Sequence, residues 1–341
     1  MTLDLPLIWA GIIALAVLMY VLLDGFDLGI GILFPFARSP EHRTTMMDTV
    51  APIWDGNETW LVLGGGGLLA VFPVAYAVLM PALYLPIYLM LIALILRGVA
   101  FEFRLHGRRR GKAFWTCAFA GGSTVAAFAQ GLVLGGFIQG VKVEGTSFAG
   151  GPFDWLTGYS LLVACGVVVG YALLGAGWLV LKTEGQLYED ARRWAWIALA
   201  ATAVGLLIVS LTTLYVHPRV AERWGVFSTG LDWPTVLKRI PVPLLGLIGI
   251  SVCGYSLKRR AHLGAYFGAV LIFLSGYFGL AAGFFPYVVP YAIDFRQAAT
   301  AHNALALMLV GAAVVVPLIL AYTGWVYWLF RGKVSADAGY H

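Results

Sequence analysis

The chain of 341 residues is 60% hydrophobic and only 11% charged, whereas soluble domains contain roughly 25% charged residues. Its mean hydropathy of +0.85 is spread along the whole chain, which excludes a water-soluble globule. The net charge of +5 arises from basic residues in short loops between apolar runs, so it indicates membrane topology rather than a nucleic-acid-binding surface. We therefore predict an all-α integral membrane protein with a single membrane domain, residues 1–341.

Nine apolar runs are long enough to cross a bilayer, whose core of ~30 Å requires about 20 residues of helix. The first run lacks the basic leader of a signal peptide and is predicted to be retained. The loops are short, so no soluble catalytic domain fits between the spans. In chain order, the predicted spans are approximately residues 5–36, 51–72, 74–103, 113–139, 155–181, 194–215, 241–257, 263–286 and 302–330.

The loops on one side of the predicted spans contain most of the 22 Lys and Arg residues. The densest group, which includes Arg108 and Lys112, separates the third span from the fourth. Loops that stay in the cytoplasm retain positive charge during insertion. This bias predicts an N-terminus outside the cell and a C-terminus in the cytoplasm.

The first span ends with two acidic residues. The motif DGFDLG places Asp24 and Asp27 three residues apart, so both carboxyl groups share one face of a helix. The glycines of the motif permit the close approach of a neighbouring backbone. In the predicted topology, both carboxyl groups lie at the cytoplasmic depth of the membrane.

The second span begins with the motif WDGNETW, which runs from Trp54 to Trp60. Asp55 and Glu58 are again three residues apart and are predicted to direct two carboxyl groups toward a shared interior. A buried Trp usually finds a hydrogen-bond partner for its indole N–H. Two tryptophans among an Asp, an Asn and a Glu therefore indicate a polar network.

The third span contributes Arg97 and Glu102 near its predicted cytoplasmic end. Ionisable residues in a span cost about 2.5–3.5 kcal/mol each on insertion scales, so they usually face a bundle interior and mark a pathway or a pairing site. Five acids then face one base, and buried carboxyl groups without counter-charges share protons, as a proton relay requires. The alternative is that Arg97 pairs with one or two acids to stabilise helix packing, while the other acids are solvated at the membrane interface.

The apolar runs offer no pair of axial histidines for a haem, and their Met and Cys residues are expected to serve in packing. In helical bundles, haem and metal ligands are His, Met or Cys side chains that project inward from facing helices. The histidines lie in loops, in the tail or, for His302, at a helix boundary. We therefore expect no haem, metal or other cofactor site in this chain.

Three segments, VLLDGFDLGIGILFPFA, APIWDGNETWLVLGGGGL and ALILRGVAFEFR, resemble subunit II of the cytochrome bd-type ubiquinol oxidases. The nine-span layout and the segment YTGWVYW near the end extend the resemblance over nearly the whole chain. Family members often have Gln at the position of Glu58 and Asp at the position of Glu102. The residues at these two positions therefore depart from the family pattern. The pattern at Glu58 is closer to the cyanide-insensitive branch.

The resemblance implies two four-helix bundles, at about residues 5–139 and 155–286, plus one peripheral helix at about 302–330. It implies a haem-free subunit in the bacterial inner membrane, paired with a similarly folded subunit I that holds haems b and d. Such a complex oxidises quinol and reduces oxygen to water with protons taken from the cytoplasm. A structural quinone, a small additional subunit and membrane lipid are further implied partners.

The resemblance also implies roles for individual residues. It makes Asp24, Asp55 and Glu102 candidates for a proton path, and the residues beside them, Asp27, Glu58 and Arg97, belong to the same predicted site. Trp54 is implied at the subunit contact and Trp60 near an oxygen access route.

Two other functions fit the same intramembrane acids. One is a proton- or cation-coupled secondary transporter, although such folds tend to have related halves and broken helices at the midplane, whereas the charges here are confined to one third of the chain. The other is a structural scaffold for a catalytic partner. A scaffold predicts that Asp24→Asn or Asp55→Asn lowers assembly without lowering the turnover of the assembled complex.

Overall fold

The computed structural model describes residues 3–106, 109–227 and 230–334. Arg108, which contributes to the predicted charge bias, and the predicted cytoplasmic C-terminal residues 335–341 lie outside these ranges. In chain order, the helices are α1 (Leu5–Leu33), α2 (Pro40–Asp48), α3 (Trp54–Val71), α4 (Pro73–His106), α5 (Arg109–Gln139), α6 (Gly158–Lys182), α7 (Gly185–Val216), α8 (Pro218–Arg223), α9 (Trp233–Arg239), α10 (Pro241–Arg259), α11 (Leu263–Phe284), α12 (Phe295–Ala298) and α13 (His302–Leu329).

Within the described residues, three short antiparallel hairpins lie between the helices. They contain only two or three residues per strand and lie between α5 and α6, between α8 and α9, and between α11 and α12. The strands are β1 (Val143–Glu144), β2 (Ser147–Phe148), β3 (Val226–Phe227), β4 (Gly230–Leu231), β5 (Tyr287–Val289) and β6 (Ile293–Asp294).

Within the described residues, 8 helical segments are long and apolar enough to cross a membrane. This confirms the predicted class of all-α integral membrane protein. The second predicted span corresponds to α3, which has 18 residues and is not among the 8. Its first two turns contain the polar residues of WDGNETW, which lower its hydropathy. The count of nine spans therefore stays a prediction.

Two parts of the fold differ from the predicted boundaries. The helix α7 begins at Gly185 rather than at residue 194, and its polar first turns contain the ion pair of Arg192 with Glu189, at 3.3 Å. The predicted loop after the first span contains α2, because Ser39 caps the helix by accepting a hydrogen bond from the His42 amide and Pro40 occupies the first turn. Hydropathy alone detects neither polar helical segment.

A sharp break separates α3 from α4. Phe72 has φ −122° and ψ 61°, which is not helical, and Pro73 begins the next helix. The Thr300 amide donates to the Val71 carbonyl at 2.9 Å, so a backbone group at the end of α3 has a partner. Farther along α4, a kink at Leu83 lies between two prolines of the helix, as expected where proline removes a backbone donor.

The long helices pack as two groups. In the first group, α1, α3, α4 and α5 contact one another, and in the second, α6, α7, α10 and α11 do so. The two groups are joined because α6 also packs extensively on α1 and α5. The helix α13 contacts α1 and is otherwise mostly exposed. The division into two separate bundles and one peripheral helix stays a prediction.

Glycines allow α6 to approach the acidic half of α1. A Cβ atom added to Gly29 would lie 1.8 Å from the Tyr171 carbonyl oxygen, and one added to Gly175 would lie 2.4 Å from the Gly29 carbonyl carbon. The two backbones are therefore in direct contact, as the small residues of DGFDLG predict. Beside this contact, Phe26 stacks on Trp178 with 4.2 Å between the ring centroids.

We expect Gly249→Ala to destabilise the pairing of α10 with α11. A Cβ atom at this position would lie 2.7 Å from the Gly268 carbonyl oxygen, and overpacking of this kind costs about 1–3 kcal/mol. Gly254, on the same helix, has its nearest neighbour at 3.7 Å, so Gly254→Ala is the matched control. The thermal unfolding temperature of the purified protein should fall for the first variant and not for the second. Equal temperatures for both variants would contradict the observed helix contact.

Hydrogen bonds connect the end of α13 to the end of α6. The Lys182 ammonium group donates to the backbone carbonyls of Phe330 and Gly332, and the Val334 amide donates to the Lys182 carbonyl at 2.9 Å. Lys333 forms an ion pair with Glu184 at 2.9 Å. These contacts hold the last turns of an otherwise exposed helix against the rest of the molecule.

Candidate functional site

The site is built around the two aspartates of α1. Asp24 and Asp27 are both fully buried, because residues of α3, α5 and α6 all lie against this half of α1. Their spacing of three residues places both carboxyl groups on one face of the helix, as predicted. The close backbone contact at Gly29 brings α6 against this end of α1.

A single guanidinium group from α4 lies between these carboxyl groups. Arg97 is fully buried, and its Nη1 atom donates to Asp24 Oδ1 at 2.8 Å and to Glu58 Oε1 at 2.7 Å. Its Nη2 atom lies 3.8 Å from Asp27 Oδ2. Glu58 comes from α3 and its side chain is 27% exposed. We refer to Asp24, Asp27, Glu58 and Arg97 as the acid–arginine cluster.

The acid–arginine cluster has more acid than base. Three carboxyl groups face one guanidinium group, and removing a charge from water costs several kcal/mol unless it is paired and hydrogen-bonded. Asp24 Oδ2 and Asp27 Oδ1 are buried and have no hydrogen-bond partner within the described part of the chain. Each aspartate therefore has one oxygen directed to a donor and one oxygen without a donor, which is where an added proton can bind.

An uncharged branch of the network, absent from the predicted site residues, reaches the last helix. Asn57 Nδ2 donates to Asp27 Oδ2 at 2.7 Å, and the Tyr327 hydroxyl donates to Asn57 Oδ1 at 2.9 Å. Asn57 belongs to the WDGNETW motif that indicated a polar network. Tyr327 belongs to YTGWVYW, but neither hydropathy nor charge indicates that its hydroxyl reaches the site.

A second set of uncharged side chains, hydrogen-bonded to one another, lies one turn away on α1. Gln130 Nε2 donates to the Tyr20 hydroxyl at 2.6 Å, and the Tyr171 hydroxyl donates to Gln130 Oε1 at 2.8 Å. Tyr20 and Asp24 are four residues apart and therefore share a helix face. A search for charged residues in the spans cannot find these three side chains, because they are neutral.

Asp55 and Glu102 are not brought into the acid–arginine cluster. Both side chains are exposed on the isolated chain. Glu102 follows Arg97 by five residues, which turns it about 140° around the helix and away from the guanidinium group. The structure thus brings together four of the six predicted residues, and three acids rather than five face Arg97.

The two tryptophans of the motif have different surroundings. Trp54 is partly exposed and stacks on Phe101 with 5.3 Å between the ring centroids. Trp60 is almost fully buried and packs with Ala16 and Tyr20. Its indole Nε1 has no hydrogen-bond partner within residues 3–106, 109–227 and 230–334. Trp60 therefore takes no part in the hydrogen bonds of the polar network within the described residues, and its place near an oxygen access route stays a prediction.

One further acid lies outside the spans, at the end of α2. Asp48 ends α2, just before the chain enters α3. Partial burial raises the pKa of the Asp48 carboxyl, and the positive charge of Arg104 opposes this change. The neighbouring Thr49 carbonyl accepts a hydrogen bond from the Trp178 indole at 3.3 Å, which ties this loop to α6.

The chain is similar along nearly its whole length to known oxidase subunits. The profile of the family described as cytochrome bd terminal oxidase subunit II matches residues 5–330. A Haemophilus influenzae protein named probable cytochrome oxidase subunit 2 is 28% identical over 98% of this chain and 96% of that protein. The cytochrome bd-I ubiquinol oxidase subunit 2 of Escherichia coli is 26% identical, also over 98% of this chain and 96% of that protein.

A third relative and a solved structure extend this similarity. The cytochrome bd ubiquinol oxidase subunit 2 of Bacillus subtilis is 25% identical over 96% of each chain. A chain in the structure of the bd oxidase from Geobacillus thermodenitrificans has the same fold, with a TM-score of 0.75 at 16% identity over 97% of this chain and 100% of that one. These findings confirm the resemblance predicted from the sequence motifs. This chain belongs to the cytochrome bd terminal oxidase subunit II family.

Proposed function

We propose that this chain is the haem-free subunit of a bd-type quinol:oxygen oxidoreductase of the respiratory chain. Its partner is a subunit I that carries haems b and d and oxidises the quinol, while the complex reduces oxygen to water. Family membership along residues 5–330 supports this assignment. The distribution of histidines in loops and at helix ends supports the placement of the haems in the partner.

The acid–arginine cluster supplies a path for the protons that oxygen reduction consumes. The single observation that carries this proposal is the burial of Asp24 and Asp27 beside Arg97, with three carboxyl groups around one guanidinium group. Each buried aspartate has one oxygen that accepts no hydrogen bond within the described residues. A proton can therefore bind there and leave again without breaking the contact to Arg97.

The two exposed acids extend this path toward the surface of the chain. Asp55 and Glu102 lie on the same helices as Glu58 and Arg97, and their exposure makes them accessible to a neighbouring subunit or to the cytoplasm. Charged side chains in spans are rarely left facing lipid. We infer that one or both acids exchange protons with the partner.

The exposed face of α3 is the surface proposed for the partner. Its exposed residues recur at helical spacing, as Asp55, Thr59, Val62, Gly66 and Leu69. Small residues permit close contact between membrane helices, and a carboxyl group in such a stripe requires a polar neighbour. Trp54, at the edge of this face, is proposed at the subunit contact, and the buried Trp60 is proposed beside an oxygen access route.

The orientation and the remaining partners follow from the topology and the family. We propose that the N-terminus is outside the cell and the C-terminus in the cytoplasm, which places the acid–arginine cluster at the cytoplasmic depth of the inner membrane. Protons then enter from the side where the basic loops lie. A structural quinone and a small additional subunit are proposed as further components of the complex.

Absorption spectroscopy tests which of the two subunits binds the haems. The complex and the chain purified without its partner should be compared at equal concentrations of this chain. We expect the haem bands in the complex and none from this chain alone, because its histidines lie in loops, at helix ends or in the tail rather than inside the spans. Haem bands that remain with the isolated chain would overturn the proposal.

A further inference from the structure

Asn57 connects the last helix to the acid–arginine cluster through hydrogen bonds at both ends of its side-chain amide. Its side chain is buried. Its Nδ2 atom donates to Asp27 Oδ2 at 2.7 Å and to the Leu23 carbonyl at 3.4 Å, and its Oδ1 atom accepts from Tyr327 at 2.9 Å. An amide side chain has one acceptor oxygen and one donor nitrogen, so each end of Asn57 is matched to a partner.

Tyr327 and the Leu23 carbonyl together favour the orientation in which the amide nitrogen faces Asp27. The Tyr327 hydroxyl donates to Asn57 Oδ1 on the side of α13, and the Leu23 carbonyl, which can only accept, holds Nδ2 on the side of the aspartate. The ring of Tyr327 is held in place by edge contacts with Phe26 at 6.4 Å and Trp178 at 6.0 Å. The Lys182 contacts beyond the end of α13 keep this part of the helix against α6.

The two carboxyl oxygens of Asp27 have different surroundings. Its Oδ2 atom accepts from Asn57 and faces Arg97 Nη2 at 3.8 Å, and both neighbours are donors that cannot accept a proton. Its Oδ1 atom is buried without a hydrogen-bond partner in the described chain. A proton that reaches Asp27 can therefore bind only at Oδ1.

We propose that Tyr327 is a positioning residue of the proton path, which acts through Asn57 to keep Asp27 Oδ2 occupied by donors and Oδ1 as the oxygen that binds and releases the proton. This inference rests on the proposed function of the acid–arginine cluster. Without the Tyr327 hydroxyl, Asn57 Oδ1 loses its donor, and only the contacts of Nδ2 with Leu23 and Asp27 still oppose a rotation that presents the amide oxygen to Asp27. That orientation accepts a hydrogen bond from a protonated carboxyl group and retains the proton.

The test is Tyr327→Phe in the assembled oxidase, since this change removes one oxygen atom and keeps the ring contacts. We expect kcat for oxygen uptake, expressed per haem, to fall roughly two- to ten-fold, the rate equivalent of one hydrogen bond. The KM for quinol should be unchanged. The ratio of the rates in H2O and D2O should rise, because proton release becomes slower, and a purely structural role would not change this ratio.

Tyr322→Phe is the matched control on the same helix. Tyr322 is exposed, and its hydroxyl has no hydrogen-bond partner within the described residues. Its variant should have wild-type kcat and isotope ratio. The double variant Tyr327→Phe with Asn57→Leu should be no slower than Asn57→Leu alone, because both changes act on one chain of hydrogen bonds.

Asp27→Asn separates this inference from the proposed function. Slow turnover in Asp27→Asn with normal kcat and isotope ratio in Tyr327→Phe would overturn only the role of Tyr327. Normal turnover in Asp27→Asn would overturn the participation of Asp27 in proton transfer. A loss of haem content in Tyr327→Phe at unchanged kcat per haem would also overturn the positioning role, since it would indicate assembly alone.

Discussion

Replacing Asp24 by Asn should slow oxygen uptake per haem by ~100-fold, the lower range for loss of a positioned acid or base. The Asn side chain has almost the same shape, and its carbonyl oxygen still accepts from Arg97 Nη1, which lies 2.8 Å from Asp24 Oδ1. An amide cannot bind and release a proton at the position of Oδ2. Oxygen uptake and haem content should be measured in the same membranes, and the haem content should stay at the wild-type level.

The control for this prediction is a carboxyl group remote from the acid–arginine cluster. Glu144 is exposed in the loop after α5, so Glu144→Gln should leave both measurements unchanged. The scaffold alternative makes the opposite prediction for Asp24→Asn and Asp55→Asn. If both changes lower the haem content while uptake per haem stays normal, the chain stabilises its partner and does not conduct protons.

Replacing Arg97 by Met should greatly reduce the amount of assembled oxidase. The Met side chain fills a similar volume but leaves Asp24 and Asp27 buried without a counter-charge, at positions that are both fully inaccessible to solvent. Removal of one partner from a buried ion pair costs about 3–5 kcal/mol. Haem content per membrane protein and the thermal unfolding temperature of the purified complex measure this loss.

A second change distinguishes lost charge balance from lost packing. Asp24→Asn removes one of the two buried carboxylates, so the variant that combines it with Arg97→Met should assemble better than Arg97→Met alone. The control is Arg296→Met, because Arg296 forms an exposed ion pair with Asp4 at 2.6 Å, and such pairs contribute about 0–1 kcal/mol. Wild-type assembly of Arg97→Met would contradict the structural importance of the acid–arginine cluster.

Part of the candidate site was predictable because charged residues are rare in apolar runs and can be identified there from the sequence. Asp24, Asp27, Glu58 and Arg97 were identified from their positions in the spans, and the structure brings them into contact. Asp55 was predicted to join them because it precedes Glu58 by three positions, a spacing that places two side chains on one face of a helix. Side-chain length and helix rotation decide such contacts, and the longer Glu58 reaches Arg97 while Asp55 stays exposed.

The neutral members of the network could not be predicted in the same way. Asn57, Gln130 and Tyr327 carry no charge, and a single polar residue in a span is compatible with many surroundings. Tyr327 lies 270 residues after Asn57 in the chain. Only the packing of α13 against the rest of the molecule brings Tyr327 next to Asn57.

The amino-acid sequence by itself determined the all-α membrane class, most of the helix boundaries and the family, because bilayer thickness sets the length of an apolar run and short motifs are local. The tertiary structure alone decided which acids meet Arg97 and which oxygen of each buried aspartate has no donor within the described residues. Those outcomes depend on the rotation of each helix about its axis and on backbone contacts such as that of Gly29 with Tyr171. Such geometry results from the simultaneous packing of several helices, and no local pattern of residues specifies it.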